Sequence, residues 1–369
     1  MRTRLDTITI KGFKTIRELV DFRPGPLTVL IGPNGAGKSN FLSFFRALKS
    51  MAVDPFSLQR HVGQQGGASK LLHDGPAITR EIDVRLGLHS NDGKIDYEFR
   101  LAFAAGDALI FDDERYRMSR ESQPGTASWL TLGAGDKESQ LLANVKSDPT
   151  AETIIGALLR MSTFQFHDTS ETSRMRTKAD VTFGNLFMPD GANIAAVLYY
   201  LKRKEVNCYR RIIDTLRLIL PFFSDFVLEP DDDFLLLAWR ERDSDQIFHG
   251  SQAADGMLRA IALVTLLLLP DERLPNLLII DEPELGLHPY AINVISGLIR
   301  AVSTKTQVIV ATQSTAFVDC FDPGDIVVVE REGRESTFRR LEDTEELQEW
   351  LKEYSLSELW EKNVIGGRP

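Results

Sequence analysis

"VLIGPNGAGKSNFL", Val29 to Leu42, decides how this chain is read. An apolar run enters a turn holding Gly32, Gly35 and Gly37, and the turn leaves through Lys38 and Ser39 into a stretch with helical spacing. Gly32 to Ser39 thus satisfies G-x-x-x-x-G-K-[ST] between a strand and a helix, the setting in which that pattern binds phosphates. The glycines let successive N–H groups curl inward, and the positive end of the following helix adds to their field. Lys38 supplies a point charge to the β- and γ-phosphates, and the Ser39 hydroxyl is placed to ligate Mg²⁺. The expected ATP cradle is Gly32, Pro33, Asn34, Gly35, Ala36, Gly37, Lys38, Ser39 and Asn40.

A second segment, "LLIIDEPE" from Leu277 to Glu284, delivers two carboxylates at the end of an apolar strand. Asp281 is expected to hold Mg²⁺ through its hydration shell. Glu282, next to it, is expected to polarise the attacking water, which needs a carboxylate within hydrogen-bond reach. Together the two segments predict an ATP site with Mg²⁺ as cofactor. The histidines His61, His73, His89, His167, His249 and His288 show neither H-E-x-x-H nor paired-ligand spacing, which argues against a protein-held transition metal.

Composition sets bounds on the rest. The chain has 369 residues and a formal charge of -10, which excludes a uniformly basic nucleic-acid coat and leaves only a local face for DNA. The basic groups "SRMRTK" (Ser173 to Lys178) and "LKRKE" (Leu201 to Glu205) read as solvated faces, and Asp231 to Asp233 as a solvated turn. Cys208 and Cys320 form no CxxC pair and read as two buried thiols in a reducing compartment. The apolar run Ile261 to Leu269 is too short to cross a bilayer, and the opening residues lack a signal-peptide core, so a cytoplasmic protein without membrane attachment is expected.

Along the chain, "LDTITIKGF", "TIRELVDF" and "LTVLIG" read as strands leading into the glycine turn. Ile82 to Leu88 and Ile95 to Phe103 alternate across the turn "SNDG" and predict a β-hairpin with one buried face. From about Ala151 to Leu220 the spacing is mostly helical, notably "GANIAAVLYYLKRKEVNCYRRIIDTLRLIL". Beyond Gly250 the helix "GMLRAIALVTLLLL", the strand "NLLIIDEP", a helix around Ile292 to Val302, and the strands "QVIVATQS" and "DIVVVE" alternate as in a doubly wound parallel sheet.

The order "GPNGAGKS", a long insertion, "DGMLRAIAL", "LLIIDEPELGLHP" and "VIVATQS" resembles the ABC-type ATPase heads of the RecF, SMC and OLD proteins, especially the compact AAA-family ATPases of bacterial DNA repair and antiphage defence. The resemblance implies an α/β fold: an ABC-type P-loop NTPase head with a doubly wound, mostly parallel sheet plus N-terminal antiparallel strands, interrupted by an inserted mixed α+β lobe. It divides the chain into a head from residues 1–55 and 245–340, a lobe from 56–244 and a helical tail from 341–369. In such heads two subunits close over two ATP molecules, so the resemblance implies a homodimer or a higher even-numbered oligomer. Asp255 and Gly256 would be the signature pair that meets the partner's nucleotide, with Ala254 standing where a serine is common and Arg259 one turn further on. Gln313 occupies the position of the γ-phosphate switch, and Glu284 to Pro289 that of the dimer-contact loop. Gln59, Gln64 and Gln65 compete for the glutamine that links the metal site to the lobe, and Phe13 reads as core rather than adenine platform.

The leading function is therefore a Mg²⁺-dependent ATPase, with Lys38, Glu282 and Gln313 as its catalytic residues, whose head pairing regulates a DNA-directed process in antiphage defence or DNA repair. A slowly hydrolysing, nucleotide-gated scaffold that holds a partner is the alternative. The stretch after Glu330 is short for a domain, so any nuclease activity is assigned to a separate effector protein. The lack of an LSGGQ segment argues against a transporter ATPase.

Overall fold

Strands covered on both faces read as unbroken apolar runs, and three such runs form the middle of the molecule. In the computed structural model, which describes residues 3–120, 127–342 and 344–368, every residue of β3 (Leu27–Ile31), β14 (Leu277–Asp281) and β15 (Gln307–Ala311) is buried. They lie in a six-stranded sheet of order β17-β16-β3-β15-β14-β8. β8 (Met161–Phe164) and β16 (Ile326–Glu332) join in parallel, and β17 (Glu335–Arg340) closes one edge antiparallel. Because side chains alternate across a strand, Leu278, Ile280, Val308 and Val310 enter one core while Leu277, Ile279, Ile309 and Ala311 enter another.

The second core lies between this sheet and an antiparallel one of order β2-β1-β4-β5-β6-β7. Its strands are β1 (Arg4–Phe13), β2 (Ile16–Phe22), β4 (Glu81–Ser90), β5 (Gly93–Ala104), β6 (Ala108–Ser119) and β7 (Leu130–Gly133). Helices α1 (Lys38–Val53), α2 (Ser57–Gln64), α3 (Leu141–Asn144) and α4 (Pro149–Leu159) fill the space between the sheets. Phe13 is part of this filling, packed edge-on against Phe44 at 5.4 Å. At the base, the buried Gln307 side chain accepts from the Leu5 N–H at 2.7 Å and donates to the Leu5 carbonyl at 2.9 Å, tying β15 to β1.

The opposite face carries α5 (Ile194–Lys204), α6 (Val206–Ile219), α7 (Asp255–Leu267), α8 (Pro289–Ser303), α9 (Thr315–Val318), α10 (Glu345–Leu351) and α11 (Leu356–Glu361). Two small sheets flank them: β10 (Phe223–Phe226), β12 (Ala238–Glu241) and β13 (Ile247–His249) in one, β9 (Ala179–Asp180) and β11 (Phe234–Leu235) in the other. The run Ile261 to Leu269 is core, and among the described residues no helix is long and apolar enough to cross a membrane.

The segment 56–244, read from the sequence as an inserted lobe, supplies strands to both large sheets: β4 pairs with β1, and β8 pairs with β14. The physical reason is that a strand's backbone N–H and C=O groups need partners, and β1 and β14 each offer an open sheet edge. Cys208 is buried, its thiol pushed up to about 11 by that burial, whereas Cys320, also expected inside, is partly exposed.

Candidate nucleotide-binding and hydrolytic site

The glycine turn ends β3 and opens α1. Gly37 has φ 115°, and a Cβ there would lie 2.0 Å from the Ser336 hydroxyl; at Gly32 it would lie 2.1 Å from the Val329 carbonyl. Both positions press the loop onto β16 and the edge strand β17, so neither accepts a side chain. α1 starts without a side-chain cap, which leaves N–H groups of its first turn for an anion. The buried Lys38 ammonium donates to the carbonyls of Gly32 at 2.5 Å and Pro33 at 3.1 Å. Burial lowers its pKa, against the opposing pull of Glu282, Asp281 and Glu284. Asn34, Gly35 and Ser39 are exposed along the loop. Asn40 is turned away into the support beneath it: its amide donates to the Thr15 hydroxyl at 2.8 Å.

Asp281, the last residue of β14, is buried, and desolvation raises its pKa while His167, Arg46 and Lys38 pull the other way. Glu282 follows with φ 45°, its N–H held by the Ala311 carbonyl at 2.8 Å. That left-handed turn is costly for a non-glycine residue and re-aims the side chain. Glu282 Oε1 accepts from the Gln313 amide, and Oε2 lies 3.6 Å from His167 Nε2. Gln313, read from the sequence as the γ-phosphate switch, thus lies against Glu282, read as the base.

His167 is a site residue that sequence reasoning missed, having treated it only as one of six unspaced histidines, and Gln165 is a second. Both follow β8, the strand that pairs with β14 on the side away from β15. Of the three competing glutamines, two are engaged elsewhere: the Gln59 amide donates to the carbonyls of Leu109 and Lys137, and Gln65 accepts from Lys14, while Gln64 is exposed at the end of α2. Gln165 accepts from Arg46 of α1 at 3.1 Å and meets His167 Nδ1 at 2.9 Å. The available signal was "MSTFQFHD", a short alternating run leaving a helix and ending in polar residues.

The start of α7 lies close by. Ala254 is its uncapped first flank, exposed like Asp255. A Cβ on Gly256 would lie 2.5 Å from the Gly286 carbonyl, so this helix start is packed on the loop that follows the acidic pair. Arg176, from the basic group expected to be solvated, is instead pinned: it donates to the carbonyls of Thr169 at 3.0 Å and Gly250 at 2.5 Å, and to Asp255 at 3.2 Å. Arg259 donates to the carbonyls of Phe166 and His167, both at 3.1 Å, and to that of Leu285 at 3.3 Å. It joins α7 to both loops that flank Glu282. Within the second of these loops the Glu284 carboxyl is buried and accepts from the Thr312 hydroxyl. Burial pushes its pKa up to about 7.

The donor set fits a magnesium nucleotide. Backbone N–H groups, a buried cation and hard oxygen donors on Ser39 and Asp281 are the chemistry that Mg²⁺ and phosphates require.

Comparison with known proteins agrees with this geometry. The family model described as "AAA domain, putative AbiEii toxin, Type IV TA system" matches residues 27–319. A search of the curated proteins finds no match. Among solved structures, an SMC head bound to the C-winged helix domain of ScpA aligns with TM-score 0.59 and 16% identity over 94% of this chain and 99% of that one. The Smc head domain with an extended coiled coil, bound to the C-terminal domain of ScpA and derived from Pyrococcus furiosus, aligns with TM-score 0.55 and 15% identity over 95% and 100%. At such identities these likenesses show a shared fold, that of an ABC-type ATPase head. The match spanning 27–319 covers the glycine turn, the acidic pair and the switch strand, and on it the chain belongs to the AAA-domain family.

Proposed function

We propose that the protein is a Mg²⁺-dependent ATPase whose ATP-bound heads pair and part again on hydrolysis, and that this cycle controls a DNA-directed process, antiphage defence or DNA repair, through a separate effector such as a nuclease. The observation that carries the reading is the Glu282 carboxylate, held at a buried strand end beside Asp281 and between Gln313 and His167. The first-turn N–H groups of α1 and Lys38 bind and position phosphate charge, which is where most of the barrier lowering in phosphoryl transfer arises. Glu282 takes a proton from the attacking water and Gln313 orients the carboxylate. Mg²⁺, held by Ser39 and Asp281, would supply charge neutralisation on the phosphate oxygens.

Head pairing is supported by the exposed, uncapped start of α7, whose free N–H groups suit an anion presented from outside the chain. An effector is supported by the ScpA domain bound to each of the two SMC heads of this fold. A cytoplasmic setting accords with the DNA-directed role. The scaffold reading draws on Ala254, which offers no hydroxyl at the α7 start. Phosphate release by the wild type and by Glu282→Gln decides between them. A fall of at least about a hundredfold in Glu282→Gln, with ATP still bound, supports the ATPase. Equal slow rates in both chains favour the scaffold.

A further inference from the structure

Glu282 is approached from two sides. Gln313, at the end of β15, engages Oε1. His167, three residues past β8, faces Oε2 at 3.6 Å and reaches the Asp281 carbonyl at 3.3 Å with the same Nε2. Which ring nitrogen carries the proton follows from the neighbours. Arg46 has only donors, so the Gln165 atom it meets at 3.1 Å is the amide oxygen. The Gln165 amide nitrogen then faces His167 Nδ1 at 2.9 Å and donates to it. An accepting Nδ1 leaves the proton of a neutral imidazole on Nε2. The Asp281 carbonyl, which only accepts, demands the same placement independently.

We propose that His167 is a positioning residue of the hydrolytic site: its Nε2–H, set by the Arg46–Gln165 pair, holds the turn at Asp281 and Glu282 and aims the Glu282 carboxylate. The inference rests on the ATPase reading for its functional part and on geometry alone for its wiring. It also gives α1 a second link to the acidic pair, because the helix that begins with Lys38 carries Arg46 two turns on. Gln165 is a relay whose two ends are fixed by their partners' chemistry: one meets a group that cannot accept, the other a nitrogen that must.

Two measurements test this on the full chain. Nitrogen NMR of ¹⁵N-histidine protein at about pH 8, above the ordinary imidazole range, reads the tautomer, with the His167→Gln spectrum assigning the signal. The wild type is expected to show protonated Nε2 and bare Nδ1. Gln165→Glu, which keeps the Arg46 contact but can only accept, is expected to place a proton on Nδ1. A wild-type Nδ1–H form, or a Gln165→Glu spectrum unchanged from wild type, overturns the wiring. In steady-state turnover, His167→Ala is expected to lower kcat about ten- to a hundredfold, as loss of an outer partner at a metal site does, with KM for ATP within about twofold. His167→Gln, whose amide can donate from near the Nε2 position, is expected to recover most of that loss. An unchanged kcat in His167→Ala, or a KM that rises as far as kcat falls, overturns the positioning role. A wild type with the Nε2–H form and no turnover overturns the ATPase reading and leaves the wiring standing; turnover with the other tautomer overturns this inference alone.

Discussion

The hydroxyls of Thr15 and Ser336 lie 2.7 Å apart beneath the phosphate loop, although 321 positions separate them in the chain. Asn40 donates to Thr15, and the Ser336 hydroxyl faces both Thr15 Oγ1 at 2.7 Å and the Ala36 carbonyl at 2.6 Å, so the four groups form one cluster that supports the loop from below. Ser336→Ala leaves the Ala36 carbonyl unpaired. It is expected to lower stability by about 1–3 kcal/mol and to weaken ATP binding about tenfold, checked by denaturant unfolding and calorimetric titration.

Gly37 and Gly35 separate two effects of a methyl group in the loop. At Gly37 the added Cβ collides with Ser336, whereas at Gly35, with φ 78°, nothing lies within 4 Å. Gly37→Ala is expected to abolish nucleotide binding. Gly35→Ala is expected to cost only the backbone strain of a left-handed residue, about 1–2 kcal/mol. Thermal melts with and without ATP distinguish them.

Glu284 makes stability depend on pH. Its folded pKa of about 7 lies above the ordinary glutamate value because of burial. Between the unfolded and folded values the native state holds the extra proton, so stability falls as pH rises through this window and is level above it. The penalty is on the order of 3 kcal/mol. Glu284→Gln removes it: denaturant midpoints of the variant are expected to exceed wild type at pH 8 and to differ less near pH 5. Equal differences at both pH values would refute the assignment.

Arg176 fixes the start of α7 through two carbonyls and Asp255, and its side chain is only 9% exposed. Arg176→Met is expected to lower stability by about 2–4 kcal/mol. Asp255→Asn, which loses only a half-exposed ion pair, is expected to change it by under about 1 kcal/mol. If the α7 start meets a partner's nucleotide, light scattering should show weaker ATP-induced pairing in both variants.

The central strands and the acidic pair were legible because each is a contiguous run whose burial on two faces shows directly in its composition. β8 was hidden: its four residues sit in a stretch whose helical spacing dominates, and Gln165 and His167 gain meaning only once that strand lies against β14. Thr15 and Ser336 carry no pattern at all, since an isolated hydroxyl becomes a support only through tertiary contact. Arg176 looked like a surface charge because sequence shows charge and not the carbonyls that surround it.

The pairing of Gln307 with both backbone groups of Leu5 gives the two sheets a bound spine at the end remote from the phosphate loop. The Thr15–Ser336 contact fastens the same two sheets again beneath the phosphate loop, where the Ser336 N–H also donates to the Thr15 carbonyl at 2.7 Å, so α1 is clasped between layers riveted at both ends. A push at Lys38 is then passed to both layers together rather than prising them apart.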